Sequence, residues 1–193
     1  FTDHAIVTDV SWKQGWRTLE PLTDTSFTNN ASYIDVTLEE RAPRLLVMEC
    51  PARVWHQCAP NRGNLHPNAD RQKDKQSRSA IKPFLKTTTA MAMRQLDEGR
   101  DFLIEAPASK LVYDDDSWKK LFDDCRVNAA DGDLCTKGLK NTSGEYVKRS
   151  TIWLSSSREI ADALDEKCKC GHVHGLDKAV NLTKWPEQLA KTV

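Results

Sequence analysis

The chain has 193 residues, 28 Lys and Arg against 28 Asp and Glu, and a hydrophobic fraction of 39%. That length suits one domain, 1–193, able to bury a full core without disulfides. Zero formal net charge singles out no polyanionic partner, and no apolar run approaches the roughly 18 residues of a membrane helix.

Phe1-Thr2-Asp3-His4 is polar and carries neither a start methionine nor a signal-peptide pattern, so a processed or trimmed piece of a longer polypeptide is expected. Ala5 to Asp9 reads as a short buried strand ending in an acid. Asn29 to Arg41 is weakly helical and closed by Pro43. Arg44 to Cys50 is a near-continuous apolar run of strand length, as expected of a strand covered on both faces. A Pro-, Asn- and Gly-rich loop follows from Pro51 to about Asp70. Gln72 to Gly99 reads as a helix with Ile81, Phe84, Leu85, Met91 and Leu96 on one stripe, its main part begun or kinked by Pro83. Asp101 to Glu105 is a second buried strand, stopped by Ala106-Pro107. Asp116 is expected to cap a short helix through Trp118 and Leu121. Strand-like pieces follow near Val127 and at Tyr146 to Leu154, then a helix from its cap Ser157 to Lys167. Alternating strands and helices predict an α/β fold with a mostly parallel sheet. A core sheet is expected over 1–125, with a hairpin, helix and metal-binding tail over 126–193.

The densest chemistry lies in Cys168-Lys169-Cys170-Gly171-His172-Val173-His174. It holds four metal-competent side chains in seven residues, in a chain with 6 Cys and 5 His. Zinc takes about four nitrogen or sulfur ligands at tetrahedral angles. Histidines at i and i+2 share one side of an extended segment, and Cys168 can fold back across Gly171. A fourth ligand must come from elsewhere, Cys135 or Cys125. The favoured set is Cys135, Cys168, His172 and His174, with Cys170 as substitute for Cys168. Four protein ligands would close the shell and make the zinc structural. The bland alternative is a surface loop that happens to be rich in Cys and His.

Six cysteines and the triplets at Asn30, Asn141 and Asn181 also fit a secreted, disulfide-bonded domain. The Cys/His crowding favours reduced, metal-binding chemistry in an intracellular compartment. Arg53, Arg62, Arg71, Lys73, Lys75, Arg78, Lys82 and Lys86 make the loop and early helix locally basic. Such charges could contact phosphates, with Trp55 and His56 stacking on an unpaired base, or could form an ordinary solvated helix face. Asp114-Asp115-Asp116 reads most simply as a helix-start acid cluster, with a hard-metal site as the alternative.

In open α/β sheets ligands sit beyond the carboxyl ends of strands, and three such ends are polar here: Asp9, Glu49-Cys50-Pro51 and Glu105-Ala106-Pro107. The strand running into Pro51-Ala52-Arg53-Val54-Trp55-His56, paired with Phe102-Leu103-Ile104-Glu105-Ala106-Pro107, resembles the cytosine DNA methyltransferase core. It is similar in particular to methyltransferase-like domains of retroelement-type polyproteins. Those continue with segments matched here by Asp133 to Leu139, Lys148 to Thr151, and Cys168 to His174. The resemblance implies a Rossmann-like fold, N-terminally truncated, with helices on both faces. It also places Ala52 where the family has its cysteine nucleophile, Ala106 for the asparagine of the base-binding turn, and no glycine-rich donor loop. Asp9 and Glu105 then stand as a vestigial donor and base site, with Glu105 equally readable as a strand-end carboxylate. No catalytic residue and no binding of S-adenosylmethionine are expected. The implied role is a catalytically degenerate structural or nucleic-acid-associated module among protein partners in a larger assembly. The alternative is an active methyltransferase whose donor-binding part lies on another segment, with Cys50 or Cys58 as nucleophile.

Overall fold

The computed structural model describes residues 38–50, 67–169 and 171–175 and positions 13, 15, 17, 18, 36, 186, 189 and 191; of 67–78, 80 and 111 only the backbone is described. The expected Ala5 to Asp9 strand and the loop after Pro51 up to residue 66 lie outside the described residues.

Strand β1 (Leu45–Glu49) leads to a 31-residue helix α1 (Pro67–Asp97), then β2 (Asp101–Pro107), α2 (Lys110–Tyr113), α3 (Asp116–Phe122) and β3 (Asn128–Asp133). A 3-10 turn over Leu134–Lys137, β4 (Ser150–Ser155) and α4 (Arg158–Leu164) complete it. The strand order is β1-β2-β4-β3. β1 and β2 are parallel, whereas β4 runs antiparallel to both β2 and β3.

The expectation of a mostly parallel sheet is therefore corrected: among the described strands the sheet is mixed, with one parallel pair. The cause is the β3–β4 connection. Parallel neighbours need a crossover, usually a helix, but residues 134–149 fold into a local hairpin. Asn141 Oδ1 there accepts from the Ser143 and Glu145 N–H groups, and Gly144 takes a φ of 80°. The chain returns beside β3, and Asp133 pairs with Ser150. The sheet includes both β3 and β4, with β4 between β2 and β3.

Alternation sorts the strand residues onto two faces. Phe102, Ile104, Ala106, Ile152 and Leu154 join Ile81, Phe84, Leu85, Met91 and Ala92 of α1 and Trp118 and Leu121 of α3 in one core cluster. Leu103 and Trp153 face the other way, with Leu134, Leu139, Val147, Ala161 and Leu164. Helices thus cover both faces of the described sheet.

Helix α1 begins at Pro67, where a missing N–H costs nothing, earlier than the expected Gln72. Pro83 sits inside it without ending it. Pro83 and Ser79, whose carbonyl loses its partner to the ring, both lie on the exposed face, where water can satisfy that oxygen. The α3 cap is Asp115 rather than Asp116: the Asp115 carboxylate accepts from Ser117 N–H at 2.9 Å, and Asp116 instead stabilises the first turn. Ser157 caps α4 as expected, accepting from Ile160 N–H at 3.2 Å.

Two strand limits differ from expectation, those of β4, which begins at Ser150 rather than Tyr146, and of β2. β2 continues through Ala106 and Pro107, which pair with Ile152 and Thr151 of β4. β3 follows Val127 in Asn-Ala-Ala-Asp-Gly-Asp, residues that disfavour strands; it is held by pairing with β4 and by the α4 exit. A Cβ at Gly132 would lie 2.7 Å from the Leu164 carbonyl oxygen. Gly132→Ala is therefore expected to destabilise the fold by about 1–3 kcal/mol, read as a lowered urea midpoint with an unchanged m-value.

Candidate metal centre

Three chain segments meet beyond the end of β3. The first is the 3-10 turn. Its leading N–H, from Leu134, donates to the Arg149 carbonyl at 2.9 Å, and the turn closes on Gly138, whose φ of 91° suits only glycine readily. This places Cys135 inward, 1% exposed. The second is the chain leaving α4. Asp133 N–H donates to the Glu166 carbonyl at 2.9 Å, and the Asp133 carboxylate accepts from Cys168 N–H at 2.9 Å. The third is the tail, where His174 bridges Tyr146 in parallel register and Gly175 N–H donates to the Tyr146 carbonyl at 2.8 Å.

The ligand atoms of Cys135, Cys168, His172 and His174 all lie within 4.8 Å of one another and could hold a metal ion. The Cys168 sulfur is 3.7 Å from His172 Nε2 and 3.4 Å from His174 Nε2. A tetrahedral zinc with its usual Zn–S and Zn–N bonds separates sulfur from nitrogen by roughly 3.5 Å. Both imidazoles thus present Nε2 to one thiol at the spacing a shared cation requires. Tyr146 packs on His172 with centroids 4.3 Å apart, and Lys140 Nζ lies 4.6 Å from the centroid of the Tyr146 ring.

Electrostatics favour a cation here. Burial, then the neighbouring Cys168 and the charge of Asp133, push the Cys135 thiol up to about 12. A divalent ion among the ligands reverses that penalty, because it stabilises thiolate directly. Asp133 itself is 2% exposed. Burial opposes its ionisation, but the Ser150 hydroxyl at 2.6 Å, the Cys168 N–H and Lys148 outweigh it and hold the carboxyl below its ordinary range.

Asp133 is the residue that reading the sequence passed over, although it stands two positions before Cys135. Nothing in the spacing shows that its carboxylate reaches 35 residues along the chain to the Cys168 backbone. Outer-shell partners that orient ligands are worth about 10–100-fold in metal affinity. Asp133→Asn is accordingly expected to weaken zinc binding about 10–100-fold in a competition titration with a chromogenic chelator.

The other expected site residues fare differently. Cys170, Asp9, Arg53, Trp55, His56 and Arg62 lie outside the described residues. Arg71, Lys73, Lys75 and Arg78 lie on α1, with only their backbone described. Glu105 lies on β2. It is 1% exposed, its Oε1 lies 3.5 Å from the guanidinium of the 5% exposed Arg149, and its strand partners are Glu49 and Trp153. Ala106 faces the opposite core with no exposure at all. At this strand end Glu105 is a buried carboxylate beside Arg149, and the β2–β4 pairing continues through the Ala106-Pro107 segment expected to turn. Among the described residues Cys50, Cys125, Cys135 and Cys168 form no disulfide, and no helix is long and apolar enough to cross a membrane.

No family model, curated protein or solved structure matches the chain.

Proposed function

We propose that this chain is a zinc-stapled α/β module, a methyltransferase-like scaffold that performs no methyl transfer and serves as a structural or nucleic-acid-associated part of a larger assembly. The convergence of Cys135, Cys168, His172 and His174 within 4.8 Å carries the zinc part. Four ligands from protein leave no open position for a reacting water, so the ion is structural. Thiolate ligation requires reduced cysteines, which supports a reducing, intracellular compartment.

The degenerate scaffold is supported by the sequence resemblance and by strands β1, β2 and β3 sharing one direction. The loss of catalysis is supported by Ala52 at the nucleophile position and by the burial of Glu105 against Arg149. Association with nucleic acid rests on the basic residues of the loop and early α1 and on general phosphate electrostatics.

Isothermal calorimetry of the full chain with S-adenosylmethionine tests this reading. No binding heat is expected at millimolar ligand, the weak limit of specific association at about −4 kcal/mol. Saturable binding together with methyl transfer to a cytosine-containing oligonucleotide would establish the active-enzyme alternative instead.

A further inference from the structure

Cys135 and Cys168 sit on separate segments, the 3-10 turn after β3 and the chain leaving α4, with their sulfur atoms inside the 4.8 Å ligand cluster. Neither is in a disulfide; Cys135 is buried and Cys168 partly exposed. An oxidant arriving from solvent therefore meets Cys168 first, with Cys135 behind it. In a tetrahedral zinc site two thiolates stand roughly 3.8 Å apart. A disulfide needs about 2.05 Å, so each sulfur must move by less than about 1 Å.

We propose that this pair is a peroxide-reactive dithiol that exchanges its zinc for a disulfide; the proposal rests on the zinc reading above. The Cys168 thiolate attacks a peroxide oxygen: an S–O bond forms, the O–O bond breaks, and the departing hydroxide takes a proton to become water. The resulting sulfenic acid is attacked at sulfur by the Cys135 thiolate. The S–S bond forms, the S–O bond breaks, and a second hydroxide leaves as water with a second proton. Two thiolates have lost two electrons and the peroxide has gained two. The zinc, left with His172 and His174 alone, dissociates.

The two crosslinks join the same segments. The oxidised chain keeps its tail tied to the end of β3, where the Cys168 N–H still donates to Asp133. What is released is the His172 to His174 loop and its packing on Tyr146. The exchange is a change of staple rather than an unfolding.

The test uses the full reduced chain, its zinc content measured first, then treated with excess hydrogen peroxide while a zinc-sensitive dye is followed. One zinc per chain should be released as two of the 6 thiols disappear, with a peptide crosslinked through Cys135 and Cys168 in a non-reducing digest. Dithiothreitol should restore loading. A Cys168–Cys170 crosslink, zinc release with sulfinic acid and no crosslink, or a zinc-loaded chain inert to peroxide would each overturn the exchange while leaving the zinc reading intact. A reduced chain that carries no zinc before peroxide is added overturns both.

Discussion

Cys135→Ser is expected to abolish stoichiometric zinc and lower the melting temperature of the metal-loaded chain, while leaving the melting temperature in excess chelator unchanged. Cys135 is the one ligand drawn from outside the tail segment, so its loss opens the ring joining β3 to the tail. Removing an outer-shell partner already costs about 10–100-fold in affinity. Losing a thiolate ligand should cost more than about 100-fold, upwards of ~2.7 kcal/mol. Hydrogen exchange locates the effect. Amides of residues 134–147 and 166–175 should lose protection, and β1, β2 and β4 should keep theirs, because their cores are built from Phe102, Ile104, Trp153 and Leu154 without help from the ion. Metal loading should also release protons at neutral pH, since both thiols must ionise to ligate. A variant as well loaded and as stable as the parent would remove Cys135 from the site.

The second large effect is expected at Arg149. Its guanidinium lies 3.5 Å from Glu105, and both side chains are almost fully buried. Glu49 is the direct cross-strand partner of Glu105 and is itself 7% exposed, so the region already holds two adjacent carboxylates. Arg149→Leu leaves Glu105 without that counter-charge in a low-dielectric setting, a change that typically costs about 3–5 kcal/mol. The double replacement Glu105→Leu with Arg149→Leu should recover most of the loss, because an apolar pair of similar volume is often neutral against a buried ion pair. Equilibrium urea unfolding of the four proteins measures both. If Arg149→Leu alone were as stable as the parent, Arg149 would not be what holds the Glu105 carboxylate in the core.

The parts of this molecule that were legible in the sequence are those governed by local pattern. The apolar run ending at Glu49, the stripe from Ile81 to Met91, and the Ser157 cap depend on residue spacing alone, and each stands close to where spacing puts it. The four side chains that could hold a metal ion were legible because Cys and His are common zinc ligands, and the tail supplies three within seven residues. What sequence could not show is tertiary. The direction of β4 depends on how residues 134–149 fold back, and Asn128 to Asp133 is a strand only because β4 and the α4 exit hold it there. Glu105 illustrates the same limit. A carboxylate before Ala-Pro at a strand end looks the same in sequence whether it faces a cleft or an arginine, and here the arginine lies 44 positions away on the approach to β4. Asp133 went unassigned for the matching reason: its partner is a backbone N–H, which no residue type advertises.

The central claim is that an ion joins the end of β3 to the tail. Native mass spectrometry of the reduced full chain, purified without chelator and compared with Cys135→Ser, tests it most directly. The account predicts a parent mass one zinc above the sequence mass of 21.8 kDa, and a variant at the metal-free mass. A parent that remains metal-free after incubation with equimolar zinc would contradict it.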